Sequence, residues 1–314
     1  MISMTNILDT AGFAEIFGTT PDDVEKTCGD MLSKYDFRYS ILGQNEFENI
    51  LLEVIKTIDS DVLSISGKDR HTDWENGWNE NLKSFIESNY DLSTLIPRYM
   101  YKLKVKRLFS RYIRPYDKSF EVNFYNIYRH YLFKKYFGQY GHVYEFGCGT
   151  GYNLVIMARL FPDMSLTGLD WASSSVKLVE TISSAYNFNM RGQRFDYFDP
   201  DYGLTIEDNS IFITLNSMEQ LGNNYHAFLD FILNKKPSLC INSEPFIDLY
   251  DQNNLLDYLA VKYHRKRNYL SGYLDALKEL EHNKKIEILK VQKVRSGNIF
   301  HEGYSFVIWR VLNK

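Results

Sequence analysis

One stretch constrains the fold more than any other: residues 143–153, VYEFGCGTGYN. A strand-like run carries Glu145 near its end, and glycines follow at Gly147, Gly149 and Gly151. Glycines let the backbone turn tightly and let a ligand approach the main chain without meeting a Cβ atom. Between a strand and a helix, such a turn is the ligand site of a doubly wound α/β sheet, and the helix beyond it offers free N–H groups. The sequence downstream keeps this pattern. Strand-like runs near 142–146, 165–170, 190–196, 210–216 and 238–243 are separated by segments such as SSSVKLVETISSAY, which is helical. The alternation predicts an α/β fold with a parallel sheet and right-handed crossovers. Two further strands, KIEILKVQKV and YSFVIWRVL, close the chain. A short turn at 296–298 is expected to join them as a hairpin, making the last strand antiparallel.

Upstream the pattern is different. FENILLEVIKTI places Phe47, Ile50, Leu51, Val54 and Ile58 on one helical face, and WNENLKSFI does the same with Trp78, Leu82 and Phe85. Residues 119–138 read as one helix, with Ser119 as N-cap and Gly138 as the stop. The expected organisation is a mostly helical region over 1–136, then an α/β domain over 137–314 with a helical insertion at about 250–283. A chain of 314 residues has room for both parts. A net charge of −4 gives no global electrostatic case for nucleic acid. No run of about 18 apolar residues predicts a membrane span, and the first residues lack the basic start of a signal peptide. Cys28, Cys148 and Cys240 are too widely spaced for a disulfide or zinc framework. They suit reduced thiols in the cytoplasm, with no metal expected.

Acids mark the later strand ends. The G-x-G-x-G spacing differs from the G-x-G-x-x-G of dinucleotide sites, and Glu145 beside it suits an ammonium group better than a pyrophosphate. Asp170 ends the second strand in LTGLDWA, where an acid can accept both hydroxyls of a ribose. Asp196 in RFDYFD follows the third strand, where an exocyclic amine of adenine is within reach.

In order and spacing, VYEFGCGTGYN, LTGLDWA, RFDYFD and TLNSMEQL resemble the class I S-adenosylmethionine-dependent methyltransferases, over roughly residues 120–314. The resemblance implies a Rossmann-like, seven-stranded, mostly parallel sheet with an antiparallel last strand, and S-adenosylmethionine as cofactor. It also implies roles. Glu145 orders the turn or meets the cofactor's amino group, and the three glycines wrap its methionine part. Asp170 holds the ribose, Trp171 lies against adenine or ribose, and Asp196 and Tyr197 sit by the adenine edge. Asn216 ends the fourth strand beneath the sulfur. Tyr125 and Arg129, on the preceding helix, are placed to meet the cofactor carboxylate.

The acceptor is less legible. An Asn/Asp-Pro-Pro-aromatic motif after the fourth strand would mark amino methylation of nucleic acid, and the chain has NSMEQL there. The expectation is O-methylation of a small molecule, a sugar or secondary metabolite. A nucleic-acid or protein methyltransferase and a catalytically silent scaffold that binds the cofactor are the alternatives, and a homodimer is allowed for. The basic run KLKVKRLFSRYIR at 102–114 reads as a solvated helix face, or as a contact for an acceptor phosphate. Trp74 and Trp78 either pack the N-terminal region onto the sheet or stack on the acceptor. The insertion is expected to form a lid presenting some of Tyr258, His264, Arg267 and Tyr269. An oxygen acceptor needs a base. His301, with an unperturbed imidazole near 6.5 and helped by Glu244 or Glu219, is the first candidate, and His264 is its competitor.

Overall fold

The structure, a computed structural model, describes residues 5–101 and 104–312. In chain order the elements are β1 (Asn6–Ile7), α1 (Thr10–Phe17), α2 (Pro21–Leu32), β2 (Arg38–Ile41), α3 (Gln44–Asp59), α4 (His71–Glu87), β3 (Lys106–Leu108) and β4 (Arg111–Pro115). Then come α5 (Phe120–Tyr136), β5 (His142–Phe146), α6 (Tyr152–Leu160), β6 (Ser165–Asp170), α7 (Ser173–Tyr186) and β7 (Met190–Arg194). The chain continues through β8 (Ser210–Leu215), α8 (His226–Lys235), β9 (Leu239–Ser243), α9 (Leu255–Arg267), α10 (Tyr273–His282), β10 (Ile286–Gln292), β11 (Ser296–Gly297) and β12 (Phe306–Val311).

The large sheet has seven strands in the order β10-β12-β9-β8-β5-β6-β7. Pairings within the β9-β8-β5-β6-β7 block are parallel, and β12 is antiparallel to both β9 and β10. The expected sheet and its antiparallel last strand are therefore present. HVYEF and SIFITL are almost wholly buried because β5 and β8 lie in mid-sheet with both faces covered. β5 has β6 on one side and β8 on the other, so the connections reverse direction there. Ligands bind in the crevice above the carboxyl ends of the strands at such a switch point.

Helix α5 joins the two halves of the chain. It starts after Ser119, carries Glu121 in its first turn and Lys134 and Lys135 in its last, and buries Phe124, Ile127, Tyr128, Tyr131 and Leu132 among others. One core cluster runs from Leu8 and Phe13 through α5 to Val143, Ile213 and Ile308, so packing is continuous across residues 136 and 137. A second cluster covers the other face, with Phe146, Phe212 and Trp309 at its centre.

Three expectations need correction. The N-terminal region is not simply helical, because β1, β2, β4 and β3 form a second sheet that is completed by β11 from the far end of the chain. The basic run is a hairpin rather than a helix face; its Lys102 and Leu103 lie outside the described residues. Phe109 and Ser110 both take positive φ, as a two-residue hairpin turn requires. Lys106 and Arg107 are buried: Lys106 pairs with Glu121, and Arg107 pairs with Asp257 and Glu302. Breaking a buried pair by removing one partner costs about 3–5 kcal/mol, so these cations hold the fold. Finally, the turn at 296–298 does not join the last two sheet strands directly. Residues 293–305 connect β10 to β12, with β11 inside that segment pairing to β3.

Candidate active site

A cavity of about 640 Å³ opens at the carboxyl ends of the parallel strands. Its floor is the glycine turn. Gly147, Gly149 and Gly151 have φ of 70°, 52° and 71°, the left-handed region that glycine occupies at little cost. A Cβ on Gly147 would stand 2.3 Å from the Ser217 Cβ. The turn is pinned by Gly147 N donating to Leu169 O (2.7 Å) and by Gly149 N donating to Asp170 Oδ2 (2.9 Å). Gly147 and Gly149 line the cavity; Gly151 lies beyond its wall and caps α6 instead.

Asp170 lines the cavity and is buried, and each of its oxygens accepts one backbone N–H, Gly149 on Oδ2 and Ala172 on Oδ1 (2.9 Å). A carboxylate oxygen accepts more than one hydrogen bond, so acceptor capacity for a diol remains. Burial raises its pKa, against the lowering effect of the Ala172 and Gly149 N–H groups. Trp171, Tyr197 and Phe198 add rings to the same end, and the Tyr197 hydroxyl lies 2.7 Å from Ser217 Oγ. Asn216, at a φ of 54°, also lines the cavity.

Arg129 and Tyr125 face the cavity from α5. The Arg129 guanidinium is sandwiched between the Tyr125 ring (4.3 Å) and the Tyr152 ring (4.8 Å), and it donates to Asn153 Oδ1 (2.8 Å) and to Asn126 Oδ1. It is 2% exposed and forms no ion pair with any described residue. A buried guanidinium without an ion-pair partner is costly, so Arg129 is suited to take an anionic group from the cavity.

Glu145 lies beneath the turn and off the cavity wall. It accepts from Asn153 Nδ2 (2.6 Å), and burial pushes its pKa to about 8. Of its two expected roles, this geometry serves the ordering of the turn. Asp196 is also off the wall: its Oδ1 accepts Phe198 N (2.8 Å), so it shapes its own loop. Helix α4 contributes more than packing. Trp74 and Trp78 stack at 5.3 Å and both line the cavity, and the Trp78 ring covers Gly149. Glu75 between them accepts from Ser173 N (2.7 Å) and Ser174 N (3.0 Å), capping α7 and docking α4 onto the sheet domain. Nothing in the sequence beyond an acid on a helix signalled that bond.

Across the cavity stand Glu219, Gln220, Tyr263, Arg267, Tyr269 and His301. Burial pushes the Glu219 carboxyl to about 7, although the Gln220 amide and the Arg267 charge oppose the shift. His301 is on the cavity wall as expected, but its surroundings disfavour the imidazolium. Burial, then the positive charges of Arg107 and Arg267, push His301 down to about 3. His301 Nδ1 lies 3.1 Å from His264 Nε2, and His264 is fully buried behind it, so one neutral ring donates to the other. A ring whose cation is so disfavoured is a poor base. Glu244 is no helper at the acceptor: it is off the cavity wall, fully buried, and its two oxygens accept Ser217 N and Glu219 N (both 3.2 Å). Burial, then the Glu219 charge, raises its pKa to about 8. Only part of the insertion faces the cavity. Helix α9 and the turn after it supply Tyr263, Arg267 and Tyr269, whereas Tyr258 is 41% exposed and α10 buries Tyr273, Leu274 and Leu277 in the core as a crossover helix. Among the described residues no His/Cys/Asp/Glu group is placed to hold a metal ion, and no helix is long and apolar enough to cross a membrane.

No protein-family model matches the chain. A 95-residue segment is 30% identical to malonyl-[acyl-carrier protein] O-methyltransferase of Bacillus cereus, covering 29% of this chain. The chain thus spans about a third (35%) of that curated relative. Among solved structures it is similar to geranyl diphosphate methyltransferase in complex with SAM (10% identity, TM-score 0.43, 63% of this chain and 92% of that one). It is also similar to a SAM-dependent methyltransferase from Aquifex aeolicus (12%, TM-score 0.42, 59% and 89%) and to the small RNA methyltransferase HEN1 (15%, TM-score 0.45, 60% and 25%). The strand order, the antiparallel last strand and the glycine turn at the switch point together make this the Rossmann-like fold of the class I methyltransferases.

Proposed function

We propose that this chain is an S-adenosylmethionine-dependent methyltransferase acting on an oxygen of a small molecule, a sugar or secondary metabolite. One observation carries the reading. The glycine turn, the doubly anchored Asp170 and the unpaired, buried Arg129 converge on one cavity at the switch point of the sheet. A zwitterionic amino acid joined to a nucleoside matches that set: Arg129 takes the carboxylate, Asp170 the ribose hydroxyls, and Trp171, Tyr197 and Phe198 surround the base. When bound, the cofactor supplies a methyl group already activated by a positively charged sulfur. The chain's own task is then to hold the acceptor in line and keep water out, which lowers a barrier by about 7–11 kcal/mol when alignment is good.

Glu219 is the base in this reading. It lines the cavity, and with a pKa of about 7 it is substantially ionised at neutral pH yet able to hold a proton. His301, neutral throughout, hydrogen-bonds the acceptor. The cavity volume falls within the usual range for small-molecule sites, roughly 300–1,000 Å³. The burial of Lys106 and Arg107 in ion pairs removes the strongest argument for a nucleic-acid phosphate backbone. The Bacillus cereus relative is named for O-methyl transfer, and oxygen as the acceptor atom draws support from it. Three buried free thiols suit a cytoplasmic location. The test is transfer of tritiated methyl from S-adenosylmethionine into fractionated cell extract. Label in small molecules, resistant to nuclease and protease, is expected. Label in RNA or protein overturns the acceptor class, and cofactor binding without transfer to any fraction points to a silent scaffold.

A further inference from the structure

The cavity wall carries a second unpaired cation at the end away from the glycine turn. Arg267, the last residue of α9, packs its guanidinium against the rings of Tyr269 (4.9 Å) and Tyr263 (5.9 Å). It forms no ion pair with any described residue, and its Nε is buried without an acceptor. Arg107 and Lys293 share Asp257 and Glu302, and Lys266 pairs with Asp61, while Lys262 and Arg265 of α9 are exposed and off the cavity wall. Glu219 interacts with Arg267 through space without reaching ion-pair distance, and it is only partly ionised at neutral pH. The cofactor of the proposed reaction offers one carboxylate, and Arg129 is placed to take it. That leaves Arg267, without an ion-pair partner among the described residues, able to take a second anionic group entering the cavity.

Resting on the methyltransferase reading above, we infer that the acceptor carries an anionic substituent separate from its methylated oxygen, and that Arg267 binds this group within the ring wall of Tyr263, Tyr269 and Phe300. The chemistry is that of a carboxylate or a phosphate monoester, either of which a guanidinium takes through paired N–H donors. The rings favour a flat or apolar body beside the charge, because Phe300 stacks on Tyr263 at 4.8 Å with an interplanar angle of 12°. In the reaction, the acceptor hydroxyl oxygen forms a bond to the methyl carbon and the carbon–sulfur bond breaks with its electron pair going to sulfur. The hydroxyl proton passes to the Glu219 carboxylate. Arg267 stays outside these bond changes; it fixes the acceptor and sets its charge class.

The test measures binding, so it needs no turnover. Protein saturated with S-adenosylhomocysteine is titrated with 4-hydroxybenzoate, 4-hydroxyphenyl phosphate and the neutral 4-hydroxybenzamide, following the fluorescence of Trp74, Trp78 and Trp171. Either anion should bind roughly 10- to 100-fold tighter than the amide, the span expected for one charge-assisted contact, and whichever is tighter identifies carboxylate or phosphate. Arg267→Gln should abolish the preference, Arg267→Lys should keep part of it, and both should bind S-adenosylhomocysteine as the unmodified protein does. Equal affinity for anion and amide, no binding of either anion at millimolar concentration, or a preference that survives Arg267→Gln overturns the inference. Failure to bind S-adenosylhomocysteine at all is the separate outcome that defeats the methyltransferase reading itself.

Discussion

Asp170 gives a prediction whose size can be worked from the geometry. Both oxygens already hold the protein together, through Gly149 N and Ala172 N at 2.9 Å each. Replacement by asparagine leaves one oxygen to accept one of these donors and turns an amide N–H₂ toward the other. Hydrogen bonds to a charged group contribute about 1.5–3 kcal/mol, and a buried donor left unmatched costs about 1–3 kcal/mol. Working against that loss, burial disfavours the Asp170 charge, so its removal recovers some desolvation. The ligand-free protein should therefore lose about 1–3 kcal/mol of stability in Asp170→Asn. Cofactor binding should suffer separately, because the ribose hydroxyls lose their charged acceptor. The expected weakening for S-adenosylhomocysteine is about 10- to 100-fold, or about 1.5–3 kcal/mol. Thermal unfolding without ligand and calorimetric titration of a variant that remains folded separate the two effects. Lower stability with unchanged affinity would show that Asp170 braces the turn and does not bind the ribose, refuting its assignment.

Further outcomes follow from the buried acids. With Glu219 as base, turnover should rise about tenfold per pH unit below about 7 and level off above it, and Glu219→Gln should remove that limb and lower the plateau about 100- to 10,000-fold; an unchanged profile in the variant would eliminate Glu219. His301→Gln should cost far less, since a ring held near 3 has no inflection in this range. Glu145 and Glu244 titrate near 8 in the fold, against 4.5 for an ordinary glutamate, so between these limits the native state binds more protons than the unfolded chain. Above about 6.5, where the lowered pKa values of His264 and His301 no longer act in the opposite sense, stability of the ligand-free protein should therefore fall as pH rises to 8, by up to about 1.4 kcal/mol per unit for each group, and Glu145→Gln should flatten the curve. Unfolding midpoints that rise over this interval would contradict the burial of these carboxyls as acids.

The parts of the fold visible in the sequence are those governed by local pattern. The runs of β5, β6, β8 and β9 are each built around apolar residues and bounded by turns, so their positions come within a residue or two of the expected ones. α5 was equally plain from Ser119 and its flanking charges. The second sheet was not visible, because β1, β3 and β11 are two or three residues long and β11 finds its partner far away in the chain. Gly147, Gly149, Asp170 and Arg129, expected from their places at the strand ends and on the helix before β5, do line the cavity, whereas Gly151 lies beyond its wall. Glu244 and Asp196 also sit at strand ends, and both turned inward to satisfy neighbouring N–H groups. Sequence spacing does not distinguish an acid that faces a ligand from one that closes a loop. Nor does it carry the desolvation and neighbouring charge that take His301 from an ordinary imidazole to one that stays neutral.

The most direct measurement is calorimetric titration of the purified chain with S-adenosylmethionine, S-adenosylhomocysteine and NAD under identical conditions. Saturable binding of the first two is expected, weakened when Arg129 is replaced by glutamine, with no heat of binding from NAD. Binding of NAD with no response to either sulfur-containing ligand would contradict that expectation.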